Sequence, residues 1–393
     1  MGTGILTINC SGSIASNDLS RNRLFARIQS GYGAAIYIQD NWPGLYVTGN
    51  MITDNAVIDE AAEATGGGGI AAVNTSETHY NDLHIERNTL LNNQAQNGGG
   101  VYLQKTYNVA LTNNMVRENY ASNYGGGILF NNSNKGTQDG IGFGNMSQED
   151  PSDVQPVFPV MINNTLTKNY TDGWGGGLGC TMPLDLVAFN NILCSNTAVK
   201  DGNAIYFAQV KVAHLYHNRV DSEQIKGGGY WEGTGNLCED PELDGMCHLC
   251  WNSPCANAGI QSLKINGNWY YSPDNDIDGE TRPYGNTMPD IGADESEVLF
   301  VGTPDLKNLD YDLSVNPNPV SHEAFLDYRL DKTEYVMFSI YDIAGERLEV
   351  LVNEVQVKGD YRYTWDPENL PSGIYFCVLK TGSGSQTQKL IKF

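Results

Sequence analysis

Small residues followed by alternating apolar positions return six times along the first half of the chain. The phrase reads Ala34-Ala35-Ile36-Tyr37-Ile38, Gly68-Gly69-Ile70-Ala71-Ala72 and Gly99-Gly100-Val101-Tyr102-Leu103. It returns as Gly126-Gly127-Ile128-Leu129-Phe130, Gly176-Gly177-Leu178-Gly179-Cys180 and Asn203-Ala204-Ile205-Tyr206-Phe207. An asparagine pair keeps register with it: Asn50/Asn55, Asn88/Asn93, Asn114/Asn119, Asn164/Asn169 and Asn191/Asn196, with a last single Asn218. The step is 26 residues from Asn88 to Asn114, and 27 from Asn164 to Asn191. From Asn114 to Asn164 it is 50, one period plus an insertion over Gly136–Pro159. A fixed period of this size predicts a solenoid.

Inside each period the apolar residues alternate. Val101 and Leu103 follow the glycine step, Val109 and Leu111 precede the first asparagine, and Val116 lies two places after it. A period of two predicts strands, here three short ones per coil, divided by Asn and Gly corners. Both corner residues tolerate the positive φ of a sharp bend. Asparagines stacked coil over coil can also bond through their amides. Each coil adds about 4.8 Å, and one coil cannot bury its own apolar face, so several must stack. The triple glycines are no phosphate loop, because neither Gly-Lys-Ser/Thr nor a helix follows them.

The pattern changes after the polar stretch from Pro304 to Asp312. Phe325–Leu330 reads as a strand, Val336, Phe338 and Ile340 alternate, and Ala344-Gly345 turns into Leu348–Leu351. Tyr361–Trp365, Ile374–Leu379 and Thr387–Ile391 bring the count to about seven short strands, a small β-sandwich. The expected architecture is all-β. A right-handed parallel β-helix solenoid spans residues 1–235, with the insertion at 136–159. A terminal segment follows at 236–297, a linker at 298–311 and the sandwich at 312–393.

Three resemblances sharpen this reading. The repeats over about residues 30 to 235 resemble the right-handed parallel β-helix proteins related to pectate lyases, a fold that enzymes and non-enzymes share. The phrases Asn252-Ser253-Pro254-Cys255-Ala256-Asn257-Ala258-Gly259, Asp276-Ile277-Asp278-Gly279-Glu280-Thr281-Arg282-Pro283 and Asp290-Ile291-Gly292-Ala293-Asp294-Glu295 resemble the choice-of-anchor Q module. Asn257 stands where that family has Asp, and Asp294 where it has Tyr. This resemblance implies an exported bacterial surface protein and no reaction. Val315-Asn316-Pro317-Asn318-Pro319, Tyr341-Asp342-Ile343-Ala344-Gly345, Leu370-Pro371-Ser372-Gly373-Ile374-Tyr375-Phe376 and Lys389-Leu390-Ile391-Lys392 resemble the type A C-terminal sorting domain of the type IX secretion system of Bacteroidetes. It implies the type IX secretion machinery as a partner, passage across the outer membrane, and an extracellular or outer-membrane-surface location.

Composition narrows the function classes. The formal net charge is -23, which argues against nucleic acid and anionic membrane surfaces as partners. No apolar run is long enough for a membrane span. Met1 to Cys10 lacks the basic and apolar regions of a signal peptide, so an export signal is expected upstream and the solenoid is read as N-terminally incomplete. Cys238, Cys247, Cys250 and Cys255 cluster without the spacing of a zinc ribbon, and disulfides are expected among them.

Candidate chemistry is sparse. Asp274, Asp276 and Asp278 with Gly279 match the first half of a calcium loop, although position twelve is Gly285. Calcium is thus the candidate cofactor. The insertion carries Asp139, Glu149, Asp150 and Asp153, carboxylates suited to acid/base work on a glycoside. The outward residues of the post-glycine strands include Tyr37, Tyr102 and Tyr206, whose rings are expected on an open face that stacks on sugars. The leading expectation is a non-catalytic, exported β-helix protein with a structural, adhesive or polysaccharide-binding role. The alternative is a polysaccharide lyase or glycoside hydrolase.

Overall fold

The computed structural model describes residues 4–26, 31–59, 65–75, 82–106, 108–131, 159–181, 185–208, 210–250, 253–284, 287–296, 313–320, 323–330, 334–342, 347–367, 370–381 and 384–393. The chain divides into two compact units, residues 1–300 and 301–393.

The first unit is a parallel β-helix. Its coils contribute to four parallel sheets, one more than the apolar pattern predicts. Sheet I holds the post-glycine strands, among them Ile36–Gln39, Ile70–Val73, Val101–Gln104, Ile128–Asn131, Leu178–Cys180 and Ile205–Phe207. Sheet II includes Leu45–Thr48, Leu83–Glu86, Val109–Thr112, Val160–Ile162, Leu186–Phe189 and Ala213–Tyr216. Sheet III lies between the paired asparagines, as in Thr89–Leu91 and Met115–Arg117. Sheet IV is the unexpected one, with Gln94–Asn97, Tyr120–Tyr124, Tyr170–Thr171 and Thr197–Ala198. These four strands are short and mostly polar, and bury single small residues such as Ala95 and Ala121. They therefore carry no alternating apolar signature.

Registers repeat coil by coil, as in Ile36↔Ile70↔Val101↔Ile128↔Leu178↔Ile205. Their inward side chains build one continuous core with Leu45, Leu83, Leu90, Val116 and Phe130. Burying each such side chain contributes roughly 1.5–3 kcal/mol.

Two asparagine ladders run along this core. In one, each amide Nδ2 donates to the Oδ1 of the next coil, through Asn50, Asn88, Asn114, Asn164, Asn191 and Asn218. The second joins Asn55, Asn93, Asn119, Asn169 and Asn196. Each Oδ1 also accepts a backbone N–H, as Asn114 does from Asn88. The ladders reach further than the repeat reading recognised. Asn17 and Asn22 precede them at the same spacing, without a glycine step to announce the coil, and Asn236 follows Asn218. The positive φ expected of the ladder asparagines falls one residue earlier, on Arg87, Asn113, Glu118 and Lys168 among others. This frees each ladder side chain to turn inward.

The terminal segment docks along one of these corner rows. Asn113 donates to the Asn275 carbonyl, Asn163 to those of Asp290 and Gly292, and Asn190 to that of Ile260. A hairpin of Ser262–Ile265 and Asn268–Tyr271 lays Ile265, Leu263 and Tyr270 against Val160, Val187 and Phe189 on the outer face of sheet II. The segment is fastened by a buried Arg282, which donates to Glu295 Oε2 at 2.9 Å and to Asn113 Oδ1 at 2.6 Å. Among the described residues Cys10, Cys194, Cys238, Cys247, Cys255 and Cys377 are thiols outside any disulfide. Cys194 and Cys255 instead fill an apolar cluster with Ile192, Leu249 and Ile291, and burial pushes the Cys255 thiol up to about 12.

The second unit is antiparallel. A three-stranded sheet of Ser314–Asn316, Ala324–Leu330 and Gly359–Trp365 accompanies a four-stranded one of Arg347–Gln356, Glu334–Tyr341, Gly373–Thr381 and Gly384–Lys392. Leu326, Tyr328, Val336, Phe338, Trp365, Leu379 and Leu390 form its core. Among the described residues no helix is long and apolar enough to cross a membrane.

Candidate functional site

The outer face of sheet I meets sheet IV at the glycine step. Gly98 and its counterparts take a left-handed φ there, 57° at Gly98, and a Cβ on it would lie 2.3 Å from the Val101 carbonyl oxygen. The bend brings a row of sheet IV residues, Tyr32, Gly66, Asn97, Tyr124 and Trp174, beside the outward residues of sheet I. Tyr32 consequently stacks on Tyr37 at 5.9 Å and on Tyr102 at 5.5 Å. Tyr102 lies so close over the Gly66 backbone that a Cβ at Gly66 would sit 2.5 Å from its ring.

This geometry corrects the expectation of an open tyrosine face. Tyr37 is 8% exposed and Tyr102 only 2%, in a cluster with Ala71, Val73 and Leu129. Burial raises both phenols, Tyr37 to about 12 and Tyr102 further. Asn131 Nδ2 donates to the Tyr102 hydroxyl at 2.7 Å, which satisfies it internally. These two rings are outward-facing in register but covered by their neighbours.

Tyr206 differs. It remains half-exposed and joins Tyr124 at 6.5 Å and Trp174 at 6.1 Å. Tyr124 and Trp174 are themselves half-exposed and stacked, with ring centroids 4.8 Å apart. The exposed Lys200 places its Nζ 3.8 Å from the indole centroid. On the same pair of strands, Tyr120 stacks on the exposed Tyr170 at 5.9 Å and donates a short hydrogen bond to Asp172. That bond pushes the Tyr120 phenol up to about 12. Tyr124, Trp174, Tyr120 and Tyr170 were not singled out in the sequence because they belong to the unrecognised sheet IV. The available signal was the aromatic residue just before two of the glycine steps, Tyr124 and Trp174.

The three aspartates of the candidate calcium loop do not converge. Asp276 is fully buried, and its carboxylate accepts the N–H groups of Asp278, Glu280 and Glu295. It shapes the turn and fastens the closing segment through the Glu295 N–H. Asp278 points elsewhere and faces His248 Nε2 at 3.4 Å. Among the described residues one group of three ligand-type side chains comes together. His248, Asp278 and Asp294 each offer an atom within 4.8 Å of the others. Asp294 is buried, its carboxyl raised to about 6 by burial, and its Oδ2 accepts the Leu249 N–H at 2.7 Å. Asp139, Glu149, Asp150 and Asp153 lie outside the described residues.

Fold and site together define a parallel β-solenoid with aromatic residues on its outer surface and a separate antiparallel module at its C-terminus. The family model of the secretion system C-terminal sorting domain matches residues 314–393, the span of that module's strands. The chain therefore carries a type IX sorting domain and is directed to the cell surface or extracellular space. No curated protein matches the chain.

Proposed function

We propose that this is a non-catalytic surface or extracellular β-helix protein that binds polysaccharide through Tyr124, Trp174 and Tyr206. The observation that carries the reading is the half-exposed Tyr124–Trp174 stack with Tyr206 beside it. Flat aromatic faces meet the C–H bonds of sugar rings, and parallel coils repeat at a spacing suited to an extended chain. Asp172 and Lys200 supply polar and charged groups at the margin of the patch. The terminal segment is read as an anchor-like cap of the choice-of-anchor Q kind, which needs no catalytic group.

Glycan-array binding followed by titration calorimetry tests the reading. Trp174→Ala is expected to weaken the best glycan about fivefold or more, since a stacked aromatic contributes ~1 kcal/mol. Tyr102→Ala, at a covered ring, is the comparison for indirect effects. Equal affinity of Trp174→Ala and the unaltered chain would remove the proposal. Release of reducing or unsaturated sugar by the purified chain would put a lyase or hydrolase in its place.

A further inference from the structure

The His248, Asp278 and Asp294 group lies apart from the aromatic patch and plays no part in the sugar-binding reading. Its three residues come from three separate pieces of the terminal segment. His248 sits in a tight turn closed by the Leu243–Leu249 bridge. Asp278 lies on the turn shaped by Asp276, and Asp294 on the closing segment that follows Asp290. We propose that these side chains bind a divalent transition-metal ion of the zinc or manganese class, which pins the three pieces together.

Four observations support the site. One ligand atom from each residue lies within 4.8 Å of the other two, close enough to share one ion. Asp294 is 7% exposed, and the Leu249 N–H donates to its Oδ2 at 2.7 Å, which holds the carboxylate in place beside the other two residues. The second imidazole nitrogen, Nδ1, faces Asp244 Oδ2 at 3.9 Å. A carboxylate behind a ligating histidine is the usual way that ring is oriented and its basicity raised. Asp244 is itself fixed, because its Oδ1 accepts the N–H groups of Met246 and His248.

The donor set selects the ion. One imidazole nitrogen and two carboxylates suit zinc, manganese or cobalt, with water in the remaining positions. Calcium prefers six to eight oxygens and gains little from imidazole. Nearby thiols compete for zinc, and Cys247 Sγ lies 4.0 Å from the Arg117 guanidinium. A test must therefore tell nitrogen and oxygen ligation from sulfur ligation.

Cobalt(II) titration of the metal-stripped full chain makes that distinction, read by calorimetry and by visible absorption. The expected result is one ion per chain, with d–d bands and no thiolate-to-cobalt charge-transfer band. Asp278→Asn, at a half-exposed side chain, and His248→Gln should each weaken binding about tenfold or more. Zinc should compete with cobalt, and calcium should not. Three results would overturn the assignment: no cobalt uptake, unchanged uptake in both variants, or a charge-transfer band showing cysteine ligation.

Discussion

At the residue scale, the buried amides hold the coils to each other. Asn119 Oδ1 accepts both the backbone N–H and the Nδ2 of Asn93, while its own Nδ2 donates to Leu90 O and Asn169 Oδ1. Asn119→Ala strands these groups in a dry interior, at about 1–3 kcal/mol for each one left without a partner. Urea unfolding of the solenoid should show a loss of about 3 kcal/mol, against a change within about 0.5 kcal/mol for Gln94→Ala on the exposed surface. Equal stability of the two variants would mean that water replaces the ladder. Arg282 presents the ionic counterpart, since it and Glu295 are 0% and 1% exposed at their side chains. Arg282→Met leaves Glu295 buried without its cation and should cost about 3–5 kcal/mol. Burial already holds the Glu295 carboxyl above its ordinary range. The folded chain then binds that proton more tightly than the unfolded chain does. Its contribution to stability is full below the unfolded carboxyl value and is lost as pH rises through the folded one. Without Arg282 to favour the anion, the variant's stability should fall more steeply with rising pH than the parent's, measured by unfolding across the mildly acidic range.

At the element scale, the decisive feature is the bend between sheets IV and I. Gly66 leaves room for the Tyr102 ring, and a Cβ there would lie 2.5 Å from it. Gly66→Ala should displace that ring from Tyr32 and cost about 1–3 kcal/mol by overpacking, with Tyr102 newly accessible to tyrosine nitration. An unshifted, unreactive Tyr102 would show that the neighbouring backbone yields instead. The same bend explains what was legible in the sequence. Sheets I, II and III were visible because Val101, Leu103, Val109, Leu111 and Val116 alternate between core and surface. Sheet IV was not, because Gln94-Ala95-Gln96-Asn97 buries one small side chain and offers no period. Tyr102 and Tyr206 share a strand position in the repeat, but their exposure depends on which sheet IV residue stands opposite. A single-strand pattern cannot report that. The metal-type cluster was half legible. Asp278 belonged to a readable Asp/Gly turn, while its partners His248 and Asp294 arrive from segments distant in sequence.

At the scale of the whole molecule, the two units carry separate cores and separate tasks. The solenoid core runs through Ile36, Leu83, Val101 and Phe207, and the sorting domain core through Leu326, Phe338, Trp365 and Leu390. Each buries its own apolar surface, the condition for folding as an independent domain. A chain ended at residue 300 should therefore keep cooperative unfolding and its sheet-type circular dichroism. It should also lose its route out of the cell, because the residues that match the sorting domain are gone. Expressed in a host with a working type IX system, the truncated chain is expected in the periplasm and the full chain at the surface or in the medium. Fractionation with a surface-protease challenge reads this directly. Surface delivery of the truncated chain would show that residues 314–393 are dispensable for export. Loss of folding would show that the solenoid depends on the second unit despite its separate core.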